Sequence, residues 1–171
     1  RRDLPRQADY FGLVSEDSRA VLKQERRGTL FIDSQRRLNF YLRAFWGRDF
    51  FLRPSAADHA GFRPFIAEGA MHLPDAVDQI GNVSGPDLYR AMSAHMAAHI
   101  TCSDRGLGQQ ALNPAQIFFV GMLEDARVEY CAIRQFPGLR GLFKSLMPQS
   151  PVGHYEHETM YLLEKAARAL L

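Results

Sequence analysis

The sequence predicts a mainly helical domain that carries one small β-hairpin. Apolar residues recur every three or four positions in several long segments, as they do on one face of an amphipathic helix. Pro86 and Pro114 stand where the first residue of a helix is expected, and Asn113 is a suitable N-cap before the second of them. The stretch 65–74 has the pattern of two short extended runs around a Glu-Gly turn.

Two helices are expected in the first third of the chain. The first spans Gln7–Arg27. Thr29–Ile32 then forms either a strand or a turn leading into the second helix, which is capped by Asp33 or Ser34 and continues to Gly47. The aromatic side chains of this second helix follow helical spacing, so we expect them in the core.

The remaining elements follow from turn-forming residues and apolar spacing. In order, they are an extended segment with a loop over 49–64, the hairpin over 65–74, helices over Pro86–Thr101 and Pro114–Gln135, a short apolar segment around Leu142–Met147, and a helix over Tyr155–Leu171.

We expect residues 1–171 to form one domain, because 46% hydrophobic residues can supply a core without disulfides or metals. The last helix ends without a capping signal, so this domain is expected to be a fragment of a longer polypeptide.

Charge and composition exclude several functional classes. A net charge of +2, from 21 basic and 19 acidic residues, gives little attraction for nucleic acid. No apolar run approaches the roughly 20 residues that cross a bilayer, so no membrane insertion is expected. Cys102 and Cys131 are expected to be reduced, as in a cytoplasmic protein. The chain has no phosphate-binding glycine loop, dinucleotide fingerprint or serine elbow.

A pair of histidines is the most distinctive chemical feature. His95 and His99 follow Leu88 and Met92 in steps of four, three and four, which places both imidazoles on one stripe of the helix that starts at Pro86. Two imidazoles one turn apart can bind the same metal ion.

The next helix carries an acidic cluster. Glu124 falls on a stripe with Val128 that would otherwise be core, and Asp125 and Glu129 lie one turn apart on a neighbouring stripe. A buried carboxylate needs a compensating cation or several hydrogen-bond donors. That partner is Arg127 or Arg134, a protonated histidine, or a divalent metal shared between the helices.

Two interpretations therefore remain open for this cluster. One is a polar network that fastens the helices together, with Asp125, Arg127 and Glu129 as its supporting members. The other is a zinc or iron site formed by His95, His99 and Glu124, since histidine and carboxylate ligands suit both metals.

The spacing resembles that of the zinc peptidases, in which His-Glu-x-x-His is followed by an acidic ligand on a later helix. Here the first motif is His95-Met96-Ala97-Ala98-His99, so Met96 occupies the position of the general base. We therefore predict a degenerate zincin-like arrangement without catalytic residues, in which peptide hydrolysis by this mechanism is not expected even with a metal bound.

Several short motifs resemble the N-terminal region of NorD/CbbO-type proteins, the von Willebrand factor A domain partners of MoxR-class AAA+ ATPases. The resembling stretches are Gly28–Phe31, Ser34–Leu38, Arg63–Ile66, His72–Asp75, Leu88–Ala91, Ala94–His99 and Glu124–Glu129.

This resemblance implies an adaptor or scaffold domain, followed by a von Willebrand A domain, that couples a MoxR-class hexamer to a client enzyme complex. The clients of such families include nitric oxide reductase, which needs a non-haem iron centre, and Rubisco, which needs inhibitors removed. The alternatives from other classes are a metal-dependent enzyme related to zinc peptidases and a domain that handles iron transiently.

Overall fold

The computed structural model describes residues 28–55, 64–103 and 112–147, together with a few positions within 7–18 and 161–169. The predicted helices over 7–27 and 155–171 therefore lie largely outside the described residues, as do the loops after residues 55 and 103. Within the described part of the chain the fold is mainly helical, with small sheets, as the sequence predicts.

The first described elements are strand β1, Thr29–Leu30, and helix α1, Phe31–Trp46. Gly47 ends α1 in the left-handed conformation, with φ 65°, which confirms the predicted stop. The prediction that Asp33 or Ser34 caps this helix is wrong. The helix begins earlier because the backbone N–H of Phe31 donates to the carbonyl of Asp75 at 2.8 Å, so the chain itself satisfies this terminal donor.

Three strands form a small mixed sheet: β2, Phe51–Ser55; β3, Phe65–Ala67; and β4, Ala70–Pro74. The predicted hairpin is confirmed, since β3 and β4 are antiparallel and the turn residues Glu68 and Gly69 both have positive φ, 51° and 75°. Strand β2 pairs with β4 in parallel, which the sequence did not indicate. Strand β5, Ala76–Val77, pairs separately with β1.

Three further helices follow the strands: α2, Gly85–Cys102; α3, Pro114–Gln135; and α4, Leu139–Leu146. Ser84 caps α2 through its side chain. Asn113 caps α3 as predicted, and its side chain forms a reciprocal capping box with Gln116. The predicted bounds of both long helices agree with these limits to within one residue.

Helix α2 lies between two apolar clusters and contributes to both. The first cluster joins it to α1 and the mixed sheet, and the second joins it to α3 and α4. The first contains Phe31, Leu38, Leu42, Phe50, Leu52, Met71, Leu73, Tyr89, Met96 and Ala97, and the second contains Ala94, Ala98, Val128, Ala132, Ile133, Leu139 and Phe143.

Both cysteines are free, and each is half-buried. In the part of the chain that the structure describes, no helix is long and apolar enough to cross a membrane.

Tyr89 joins the start of α1 to the end of β4. Its ring is fully buried against Phe31. Its hydroxyl donates to the carbonyl of Pro74 at 2.7 Å and lies 3.3 Å from a second acceptor, the carbonyl of Thr29. Burial raises the pKa of this hydroxyl above its usual range, so it remains a donor.

Replacing Tyr89 by phenylalanine should lower the free energy of unfolding by about 1–3 kcal/mol, because the Pro74 carbonyl loses its buried donor. Urea titration followed by circular dichroism measures this change. Tyr130→Phe is the matched control, since that ring is 51% exposed, and should change stability by less than about 0.5 kcal/mol. Equal effects of the two substitutions would contradict this role for Tyr89.

Candidate metal centre

Helices α2 and α3 approach each other along a stripe of small residues. Ala94 and Ala98 of α2 are completely buried against Val128 and Ala132 of α3. Alanine side chains allow two helix backbones to come close, so longer side chains at the edge of this contact can meet across the gap. The residues at that edge are the histidines of α2 and the carboxylates of α3.

Three side-chain atoms converge at this edge. The Nε2 atoms of His95 and His99 are 3.1 Å apart, and Oδ1 of Asp125 lies 2.9 Å from His99 Nε2 and 3.6 Å from His95 Nε2. These atoms form a compact triangle whose longest side is 3.6 Å. His95, His99 and Asp125 are therefore arranged so that each can offer one ligand atom to a single ion.

Glu129 determines the tautomer of His95. Its Oε1 lies 2.8 Å from His95 Nδ1, and because a carboxylate only accepts, Nδ1 must carry the hydrogen. In the neutral ring, Nε2 then has a lone pair directed at the triangle. A carboxylate behind a histidine is the usual partner that orients a metal-binding imidazole.

A longer chain of contacts, through Ser103 and Glu124, determines the tautomer of His99. Ser103 donates its hydroxyl hydrogen to Oε1 of Glu124, so its oxygen is free to accept from Nδ1 of His99 at 3.2 Å. Glu124 is held in turn by Arg127, whose Nε and an Nη atom lie 2.7 and 2.8 Å from its two oxygens. When its ring is neutral, His99 is thereby also left with its Nε2 lone pair towards Asp125, and when the ring is protonated its Nε2 donates to Asp125.

Arg127 also ties α3 to the end of α2. Its second contact is with the carbonyl of Cys102, to which it donates at 2.8 Å, and this carbonyl lies at the helix terminus where the backbone has no further helical donor. The hydrogen bonds from Arg127 lower the pKa of Glu124 to about 2, and the same contacts raise the pKa of the guanidinium. Both groups are therefore charged at neutral pH.

Without an added ion, a proton is the cation that can occupy the triangle. Burial by itself lowers the pKa of His95, but hydrogen bonds to Asp125 and Glu129 outweigh it and raise that pKa to about 9. The pKa of Asp125 lies well below its usual range because His95 and His99 both bond to its carboxylate. The site therefore favours positive charge at its centre.

The triangle has the dimensions of a metal site. Donor atoms bound tetrahedrally to zinc at its usual distances lie about 3.3–3.6 Å apart. The observed separations of 2.9, 3.1 and 3.6 Å are close to these values. His95 and His99 are 28% and 23% exposed and Asp125 is 54% exposed, so an ion here would be open to solvent on one side.

The structure brings together the two predicted histidines, but their nearest shared carboxylate is Asp125. Glu124, predicted as the third ligand, has both oxygens engaged by Arg127 and Ser103 and supports His99 indirectly. The sequence predicted a supporting polar cluster of Asp125, Arg127 and Glu129. Glu129 contacts His95 directly, and Arg127 supports His99 through Glu124. Ser103 was not identified from the sequence.

A signal for Asp125 was present in the sequence. Asp125 and Glu129 are four residues apart, which is the spacing of His95 and His99 on the opposing helix. In antiparallel helices two such pairs can face each other, and the structure pairs His95 with Glu129 and His99 with Asp125. Matching equal spacings across the two helices would have identified Asp125 as the carboxylate that lies nearest to both histidines.

The other histidines do not contribute to this site within the described residues. His72 stacks on Phe65 in the small sheet, with ring centroids 4.5 Å apart. His59, His154 and His157 lie outside the described residues. Met96 is buried in the first apolar cluster, so the side chain at the general-base position of a zinc peptidase is part of the core here.

No family model, no curated protein and no solved structure matches the chain.

The raised pKa of His95 predicts an alkaline decrease in stability for the metal-free protein. Folding favours the protonated ring, so this contribution is complete below the ordinary value of 6.5 and disappears as the pH rises through about 9. Denaturant midpoints measured in a chelating buffer across this interval should fall with pH. The decrease should be much smaller in His95→Gln and unchanged in His72→Gln. A flat wild-type profile would contradict the prediction.

Proposed function

We propose that this domain binds one divalent transition-metal ion between α2 and α3, through His95, His99 and Asp125. The observation that carries the proposal is the convergence of two imidazole Nε2 atoms, both set as lone-pair donors by their Nδ1 contacts, on one carboxylate oxygen. Three lone-pair atoms this close repel one another unless a cation lies between them.

The donor set favours zinc or iron(II). Two imidazoles and one carboxylate are the ligands of many catalytic zinc sites, and the same set holds iron(II) in non-haem centres. In both cases three protein ligands leave at least one coordination position for water or another ligand. The exposure of Asp125 supports an open position on the solvent side.

The arrangement supports a degenerate zincin-like domain that binds metal without hydrolysing peptides. A small sheet with a hairpin precedes the helix that carries both histidines, and the acidic ligand belongs to the following helix. Hydrolysis by that class needs a general base beside the metal. Met96 cannot act as a base, and Glu124 and Glu129 are engaged in holding His99 and His95.

The metal proposal predicts close to one zinc or iron ion per chain by elemental analysis. It also predicts different effects for substitutions of the adjacent carboxylates Glu124 and Asp125. Glu124→Gln should weaken zinc binding in calorimetry by about 10- to 100-fold, as loss of an orienting partner does. Asp125→Asn and the double variant His95→Ala/His99→Ala should weaken it more, because the first removes the negative charge of a ligand and the second removes two ligand atoms.

Asp49→Asn is the control for this series, since Asp49 is an exposed carboxylate that follows the end of α1 and lies 3.8 Å from Arg43. It should leave zinc affinity unchanged. If Glu124→Gln abolishes binding while Asp125→Asn retains it, the ligand assignment reverts to Glu124. If the wild type binds no metal and the double variant is only less stable, the cluster is a structural network.

A second candidate function is the adaptor role that the NorD/CbbO resemblance implies. The observation in its favour is that two of the resembling stretches, Ala94–His99 and Glu124–Glu129, form the two sides of the proposed metal centre. On this proposal, the metal centre holds the adaptor's helices in the arrangement that a MoxR-class hexamer or its client enzyme contacts.

The adaptor proposal predicts that the chain co-elutes with a MoxR-class ATPase from the same organism and changes its rate of ATP hydrolysis. The double variant His95→Ala/His99→Ala should lose this effect if the centre fixes the contact surface, whereas Asp49→Asn should keep it. Gel filtration and a coupled ATPase assay provide the two measurements. A separate elution of the two proteins, with an unchanged rate, would contradict the adaptor role.

A further inference from the structure

Helix α3 extends well beyond the end of α2. Its C-terminal half is buried through Val128, Ala132 and Ile133, whereas every residue from 112 to 121 is exposed. Asp125 lies where the packed half meets the exposed half. The face of α3 that contacts α2 therefore continues past the metal centre as a stripe open to solvent.

This open stripe is apolar. Phe118 and Gly121 precede Asp125 by two turns and one turn, or about 10 and 6 Å along the axis, and lie on the same side of the helix. Phe118 is 53% exposed and Ile117, beside it, is 43% exposed. A Cβ built on Gly121 would meet no atom within 4 Å, so the glycine leaves a notch between the aromatic ring and the metal centre.

We propose that the metal centre and this stripe together bind an apolar monocarboxylate. The proposal rests on the metal site proposed above, because the head group of the ligand occupies the open coordination position. The hydrocarbon tail then crosses Gly121 and packs against Phe118 and Ile117.

The chemistry of the two parts favours this class of ligand. A divalent ion with an exposed side attracts an anionic oxygen donor, and the stripe beside it offers no charged group before Glu124. Met96 stands at the general-base position and is buried in the core, so among the described residues it supplies no base that would convert a carboxylate bound here. The site therefore binds the acid without converting it, and the length of the acid's hydrocarbon tail determines the affinity.

Cobalt-substituted protein provides the test, because its visible absorption changes when an exogenous ligand enters the coordination sphere. Titration with sodium acetate and sodium octanoate compares the same head group with and without a tail. Octanoate should bind at least about tenfold more tightly, since each buried methylene favours binding.

Two substitutions should remove this preference without changing cobalt affinity. Gly121→Leu fills the notch with a side chain, and Phe118→Ala removes the apolar wall. Gly141→Leu on α4 is the matched control, because a Cβ at Gly141 also meets no atom within 4 Å. It should keep the preference for octanoate. Leucine is a better helix former than glycine, so neither glycine variant is expected to unfold.

The outcomes separate this inference from the metal proposal. Failure of cobalt to bind would overturn both. Normal cobalt binding with equal affinity for acetate and octanoate would overturn the inference alone. If equal affinity is accompanied by a dimer that Phe118→Ala dissociates, the occupant of the stripe is a second copy of the chain. A tail preference that survives both substitutions would also overturn the proposed position of the tail.

Discussion

The contact between α2 and α3 is organised around the convergence of His95 Nε2, His99 Nε2 and Asp125 Oδ1. Each imidazole is fixed from behind by a carboxylate, directly by Glu129 or through Ser103 by Glu124. Neither ring can rotate to relieve the crowding at Nε2 without breaking that contact. The alanines of α2 bring the helices close enough for these contacts to form.

The charges of the cluster indicate which cation suits it. Three carboxylates face one permanent cation, Arg127, whose guanidinium is already shared between Glu124 and the end of α2. One protonated histidine leaves the cluster with a net negative charge. A divalent ion with both imidazoles neutral balances the charges completely, and the two Nε2 atoms then face the ion instead of each other. An internal salt-bridge network with a protonated His95 also fills the central triangle, but it leaves the cluster with a net negative charge.

Local signals in the sequence predicted most of the fold, and the errors arose where distant residues decide the structure. The caps of α3, the stop at Gly47 and the turn at Glu68 depend on neighbouring residues and were correct. The start of α1 depends on the distant carbonyl of Asp75, and the parallel pairing of β2 with β4 depends on tertiary packing. Glu124 was favoured over Asp125 because periodicity identifies a stripe but does not fix the rotation of α3 about its axis.

The position of Asp125 links the metal centre to the rest of α3. A ligand inside a fully packed helix contact would enclose its ion, whereas Asp125 is followed by buried residues and preceded by exposed ones. In the proposed metal centre, the same residue would therefore anchor the ion to the core and leave one side of it accessible. A site whose only function was to hold two helices together would gain from closure, since every open position exposes the ion to competing ligands. If the centre holds a metal as proposed, its open side therefore favours the binding of a further ligand over structural support alone.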